Sequence, residues 1–253
     1  VPEFASALGL KQRTGAIDAL QAQGAWARFE RMVAADLKLL PVDPANFYRA
    51  AELVLDDILE ICATAAASEQ VSAVLPACSA LAAWDRKVNL DSRGAQVFVE
   101  FWQAIRDELN NPFQDVVESD EFWAVDFDPA NPLNTPAGID TSVAANHARV
   151  IAALARAMER LATAGVALDA PWGEVQVLQR NEENVPIHGG PGTAGVYGAI
   201  GVGLSEGGYI NPRAGNSYIQ AVTWDDSECP IADVILVPSQ STDPQSPHFA
   251  DQT

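Results

Sequence analysis

Ser246, His248 and Asp251 crowd into the last stretch of the chain, PSQSTDPQSPHFADQT (238–253), and are the residue types of a hydrolytic triad. In such a triad an imidazole takes the serine proton while a carboxylate fixes its tautomer, so the three groups must converge in space. Pro247 stands between Ser246 and His248, and an X-Pro dipeptide is extended or turned, so neighbouring side chains diverge. The G-x-S-x-G spacing of a nucleophile elbow falls only on GLSEG (203–207), inside the glycine-rich stretch, and does not include Ser246. The three residues therefore read as hydrogen-bonding braces of a loop, with Asp243-Pro244 and Ser246-Pro247 setting its turns. His188, in VPIHGG, has no serine that the sequence selects for it. His147 falls in an apolar helical stripe and reads as a hydrogen-bonded core residue. Asp85, Asp91 and the carboxylates from Glu118 to Asp128 have types suited to acid-base chemistry or hard cations. The alternating spacing and central glycine of a calcium loop are missing, so they read as solvated faces.

Metal and cofactor motifs are equally scarce. Cys62, Cys78 and Cys229 lack the paired spacing of a zinc site and are too few for a disulfide scaffold. The glycines of HGGPGTAGVYGAIGVGLSEGGYINPRAG are followed by no Lys-Ser or Lys-Thr and sit in no strand-turn-helix unit. They read as loops that wrap closely over neighbouring backbone. No cofactor and no metal is expected. Fifteen basic against thirty-four acidic residues give a net charge of -19 in 253 residues. That balance repels phosphate backbones and anionic headgroups, which excludes nucleic acid as a partner. No apolar run approaches the roughly 18 to 20 residues of a membrane span.

The elements that must position these residues change character near Gly165. Before it the pattern is helical. Asp43 and Pro44 read as a helix start, followed by Ala51, Val54, Leu55, Ile58, Cys62 and Ala65 at helical spacing. Val71, Val74, Leu75, Cys78 and Leu81 form the inner face of a second helix. Cys62 and Cys78 thus lie on the inward sides of adjacent helices, either as a disulfide or as two buried thiols. Ser92 is placed to cap a third helix with a bulky face of Val97, Phe98, Phe101, Trp102, Ile105 and Leu109, ended by Asn110, Asn111 and Pro112. ESDEFWAVDFDP and ANPLNTPAG read as an irregular surface loop. Asp140 or Thr141 then begins a long helix carrying Val143, His147, Val150, Ile151, Leu154, Met158 and Leu161, with Gly165 as a left-handed cap. Beyond it EVQVLQR, NSYIQAVTW and ADVILVPS read as strands. The fold class is α+β, a mainly helical region over 1–165 followed by a glycine-rich β region over 166–253.

One string, ACSALAAWDRKVNLDSRGAQVFVEFW (77–102), resembles a stretch of the penicillin-amidase superfamily, in particular its acyl-homoserine-lactone acylase branch. NPLNTPAG (131–138), PWGEVQVLQR (171–180), VPIHGGPGTAGVYGAI (185–200), GNSYIQAVTW (215–224) and SQSTDPQSPHFADQT (239–253) are similar to further blocks of that family, in the same order. The resemblance covers the chain from about residue 50 to its end. It implies a portion of an N-terminal-nucleophile amidohydrolase of αββα architecture, made as a precursor that cuts itself into two chains and works in the periplasm or as a secreted protein. In that family the nucleophile is a serine opening the larger chain, and its own α-amine is the base.

The matching blocks belong to the latter part of that larger chain. The first residue here is Val1, without initiating Met or signal-peptide character, so the sequence reads as a processed piece or fragment. The resemblance implies that the nucleophile, an early histidine and the oxyanion asparagine lie before residue 1. An arginine supporting that asparagine would fall near GLKQRTGAIDAL, which makes Arg13 the one position to which a catalytic role transfers. Family members also continue past the position of Thr253. The implied partners are the remainder of the acylase, meaning the α chain and the N-terminal part of the larger chain, and a small-molecule acyl amide. The isolated chain is expected to be inactive. Two alternatives remain, a penicillin- or cephalosporin-type acylase fragment and a non-catalytic secreted binding module.

Overall fold

A computed structural model describes residues 49–64, 69–108, 122–126, 128, 130, 135–180, 183–196, 198–216, 218–223, 229–236, 241, 243–247 and 249. The architecture is α+β, with four long helices and several small sheets among the described residues. α1 (Arg49–Thr64) and α2 (Glu69–Ala83) form the first pair. α1 buries Ala51, Val54, Leu55, Ile58 and Cys62 of the expected stripe, with Ile61 in addition, while Asp56 and Glu60 stay outside; Ala65 lies outside the described residues. α2 buries Val71, Val74, Ala77, Cys78 and Leu81. Leu75, expected inside, is 39% exposed, because the stripe passes to Ala77 one turn above Val74. Cys62 and Cys78 are joined in a disulfide with Cα atoms 6.2 Å apart, which resolves the alternative left open by their spacing.

α3 (Ala95–Glu108) is the centre of the molecule. The sequence predicts one bulky face, yet every residue from Ala95 to Trp102 is buried. The reason is that α4 (Ala144–Ala164) packs on one side of α3 while Tyr209 and the Val196–Leu204 loop region close another. Phe98 lies between Trp84 (5.2 Å) and Trp102 (6.0 Å, stacked). Burial of Phe98, Phe101 and Ile105 is worth about 1.5 to 3 kcal/mol apiece. Ser92 does not cap this helix. Gly94 takes the cap position, its carbonyl accepting from the amides of Val97 and Phe98, and the Ser92 hydroxyl instead donates to Asp85 Oδ2 across the preceding loop.

The stretch read as irregular contains a short antiparallel pair, β1 (Trp123–Val125) with β2 (Ala137–Ile139). Asp57 Oδ2 on α1 accepts from the amide of Ile139 and ties this pair to the helices. α4 begins three or four residues later than its acidic start signal suggests. Asp140 instead closes a turn, accepting from the amide and hydroxyl of Ser142. The inner stripe of α4 is Asn146, Val150, Ala153, Leu154, Ala157 and Leu161. Gly165 ends it at φ 72° as expected, with Val166 N bonding back to Leu161 O.

A four-residue helix, α5 (Trp172–Val175), leads directly into β3 (Gln176–Arg180). β3 is central in a three-stranded sheet, antiparallel to β4 (Glu183–Pro186) and parallel to β6 (Tyr209–Ile210). β5 (Ile200–Gly201) pairs with β7 (Ala214–Gly215), and β8 (Tyr218–Thr223) forms a hairpin with β9 (Ile231–Leu236). The three strands read from sequence are β3, β8 and β9. Two glycines show why the intervening stretch needs them. A Cβ at Gly189 (φ 88°) would meet Gly198 O at 2.2 Å, and one at Gly208 (φ 131°) would meet Val175 O at 2.3 Å.

Candidate functional site

The helical periodicity of α3 places Val99, Trp102, Gln103 and Arg106 along one face, and this face forms one wall of a cavity of about 500 Å³. Its opposite wall is backbone and small apolar side chains from Ala199 to Leu204, with Ala214 and Gly215 of β7. β5 and β7 can lie this flat because their pairing needs only Ile200, Gly201, Ala214 and Gly215.

The polar element of this cavity joins three segments far apart in sequence. Glu100, 2% exposed, projects from α3. Its Oε1 accepts from the hydroxyl of Tyr209 on β6 at 2.7 Å. Arg160 of α4 brings Nε to 2.9 Å from Oε2, close enough for an ion pair though not aligned as a hydrogen bond. Burial pushes the Glu100 carboxyl above the ordinary range. The Tyr209 hydrogen bond and the Arg160 charge oppose that rise, and Asp107 adds to it. Tyr209 is itself fixed by Trp172, with ring centroids 5.1 Å apart.

Two buried glutamines hold the surrounding backbone in place. Gln176 Nε2 donates to the carbonyls of Ile187, His188 and Gly189. Gln96 Nε2 donates in the same way to Ala167, Leu168 and Ala170. Each amide thus supplies donors to the buried carbonyls of a loop, and Trp172 Nε1 adds a bond to Gly189 O.

Among the described residues, none lining the cavity is Ser, Thr, Cys, His or Lys. The site can enclose a group and present a carboxyl. Those residues singled out from sequence that the structure describes do not line the cavity. His188 is buried, and desolvation lowers its pKa. His147, expected as a hydrogen-bonded core residue, has Nε2 2.8 Å from Thr141 O as expected but is only half-buried, because the inner stripe of α4 runs through Asn146 and Val150 instead. Asp85 accepts from Lys87 N and the Ser92 hydroxyl, while Asp128 accepts from Ala130 N, so both carboxylates brace local turns. Ser246 sits in consecutive turns, its amide bonded to Asp243 O and its carbonyl accepting from Phe249 N. His248, Asp251 and Arg13 lie outside the described residues, as do Glu118 to Glu121. Among the described residues no three His, Cys, Asp or Glu side chains converge.

Glu100, Arg160 and Tyr209 were not marked by the sequence reading. The signal that could have found the first is a lone carboxylate inside VFVEFW, where each neighbour is apolar.

The fold therefore sets α3 and Arg160 of α4 against glycine-lined short sheets around a buried carboxyl, and a known family shares this sequence. The penicillin amidase family model matches residues 4–253, and the chain belongs to that family. Among curated relatives it is similar to the acyl-homoserine lactone acylase PvdQ of Pseudomonas savastanoi pv. phaseolicola, 33% identical over 235 residues, which is 93% of this chain and 28% of the relative. The acyl-homoserine lactone acylase PvdQ of Pseudomonas fluorescens strain Pf0-1 is 36% identical over 223 residues, 86% of this chain and 26% of the relative. The aculeacin-A acylase of Actinoplanes utahensis is 34% identical over 214 residues, 82% and 24% respectively. The chain therefore spans about a quarter of the length of these relatives.

Proposed function

We propose that these 253 residues are the helical and β-rich portions, 1–165 and 166–253, of the larger chain of an acylase. The whole protein hydrolyses the amide that joins an acyl side chain to an amine such as homoserine lactone or a lipopeptide. The observation that carries this reading is a family match along nearly the whole chain, with relatives named as acylases at 33 to 36% identity. A serine opening the larger chain attacks the amide carbonyl, its α-amine takes the hydroxyl proton and passes it to the leaving amine, and water then releases the acid. In this reading that serine lies outside the 253 residues. Arg13 supports the oxyanion asparagine from the N-terminal side. The protein matures by self-cleavage in the periplasm, and the Cys62 to Cys78 disulfide supports an oxidising compartment of that kind.

The names of the relatives favour acyl-homoserine lactones over penicillin-type substrates. The test is release of homoserine lactone from N-acyl-homoserine lactones, followed by chromatography, for the full-length protein and for the 253-residue chain. Turnover is expected from the first alone, unchanged by Ser246→Ala and reduced by Arg13→Ala. Turnover by the 253-residue chain that Ser246→Ala abolishes overturns the reading.

A further inference from the structure

The C-terminal stretch that carries Ser246 is tied to the body of the protein through a cation. Arg180, the last residue of β3, extends its guanidinium to both ends of the segment 241–249. Nη1 donates to Ser241 O at 2.6 Å and to Phe249 O at 3.0 Å, so each of its two hydrogens serves one carbonyl. The Phe249 ring lies against the same group, with its centroid 5.1 Å from Cζ. Two blocks of sequence, PWGEVQVLQR and SQSTDPQSPHFADQT, thus meet at one side chain.

Between its tethered ends the segment holds its own shape. The amide of Ser246 bonds to Asp243 O and that of Phe249 to Ser246 O, while Asp243 N donates to Ser241 Oγ and Gln245 N to Asp243 Oδ1. Asp243, Pro244, Gln245 and Pro247 are exposed, so burial contributes little to holding the middle down. The anchor is the firmer partner, because β3 is central in its sheet and Arg180 is paired with Glu183 of β4. A segment bonded within itself and tied at both ends to one point can leave that point whole.

We propose that residues 241–249 form a strap that opens and closes as a unit on the end of β3, with Arg180 as its latch. The guanidinium suits this task, since it stays charged at every working pH and fans its donors toward two carbonyls at once. Segments held in this way occupy the low-stability end of a fold and open while the sheets beside them stay closed.

Hydrogen exchange of the full-length protein, resolved to single amides, tests the strap. Arg180→Met should speed exchange at positions 246 and 249 by about tenfold or more, and by the same factor at both, because one opening exposes both amides. The amides of β3 and β4 should stay within about twofold of the wild type. Arg180→Lys keeps a charge and donors and should restore part of the lost protection; a Lys variant as fast as the Met variant would overturn the latch. So would a Met variant within about twofold of the wild type at both positions. Factors at the two amides that differ by more than about threefold would overturn opening as a unit, and acceleration shared by β3 and β4 would overturn the strap as a separate element. If Arg180→Met does not fold, Phe249→Leu keeps both carbonyls and removes the ring from the guanidinium; it should speed the same two positions by about threefold, and no change there overturns the proposal. None of these readouts requires amide hydrolysis, so an inactive protein sinks the acylase reading alone.

Discussion

Replacing Tyr209 by Phe removes one oxygen and keeps the ring against Trp172, so it isolates the hydrogen bond to Glu100. With Glu100 ionised, a 2.7 Å bond from a buried hydroxyl to a carboxylate is worth about 1.5 to 3 kcal/mol, because its loss leaves a desolvated charge short of a donor. In a Glu100→Gln background the same change removes only a bond between neutral groups, worth about 0.5 to 1.5 kcal/mol. The double-mutant cycle should therefore show a coupling of about 1 kcal/mol or more. Hydrogen exchange of α3 and β6 peptides in the full-length protein reads this locally, without requiring two-state unfolding of a large chain. At 1.4 kcal/mol per factor of ten, Tyr209→Phe should speed exchange of those peptides by about ten- to a hundredfold at pH 7.5, and clearly less in the Gln background. Since burial raises the Glu100 carboxyl, the excess should shrink as the pH falls and the carboxyl gains its proton. A coupling below about 0.3 kcal/mol, the level of ordinary additivity, would refute the view that this bond stabilises a buried carboxylate.

Glu100 and His188 give opposite pH slopes. The unfolded chain loses the Glu100 proton more readily than the folded one, so the stabilising contribution of Glu100, full below the ordinary carboxylate pKa of 4.5, declines as pH rises through the raised folded value; Glu100→Gln should remove that decline in thermal melts. His188 is held below 6.5, so its contribution is present above 6.5 and is lost as pH falls through the lowered folded value; His188→Gln should flatten acid destabilisation in this window, and an unchanged acid limb would argue against it. Reduction of the Cys62 to Cys78 bridge, whose cysteines are 16 residues apart, should cost about 3 kcal/mol, seen as a lower denaturation midpoint with two newly alkylated cysteines by mass. Gln176→Leu strips a donor from three buried carbonyls and should cost about 2 kcal/mol or more, with faster exchange over 187–190 as the local readout; no change there would mean the amide is dispensable.

The helices were the legible part of the fold because apolar spacing declares them. α1 carries its inner residues where the 3.6-residue repeat puts them, and the left-handed cap at Gly165 is as predicted. Helix starts were less legible, since Ser92 and Asp140 have capping side chains that the fold spends on loops instead. Strands of two to four residues such as β4, β5 and β7 carry no period to detect, and their Gly, Asn and Pro residues signal turns. The centre of the cavity was hidden for another reason. Arg160 follows Glu100 by 60 residues and Tyr209 follows it by 109, so no local pattern could bring the three together. The family resemblance was legible through ordered blocks such as WDRKVNLDSRG, whose side chains turn out to brace loops.

The burial of α3 on nearly all sides has a consequence in time. Its first eight residues are all buried, and the hydroxyl that pairs with the carboxylate among them, Glu100, arrives 109 residues later. At synthesis rates of about 5 to 20 residues per second, Glu100 waits roughly 5 to 20 seconds for Tyr209 to exist. Through that interval the apolar segment VFVEFW is on the nascent chain without the hydroxyl that pairs with its carboxylate.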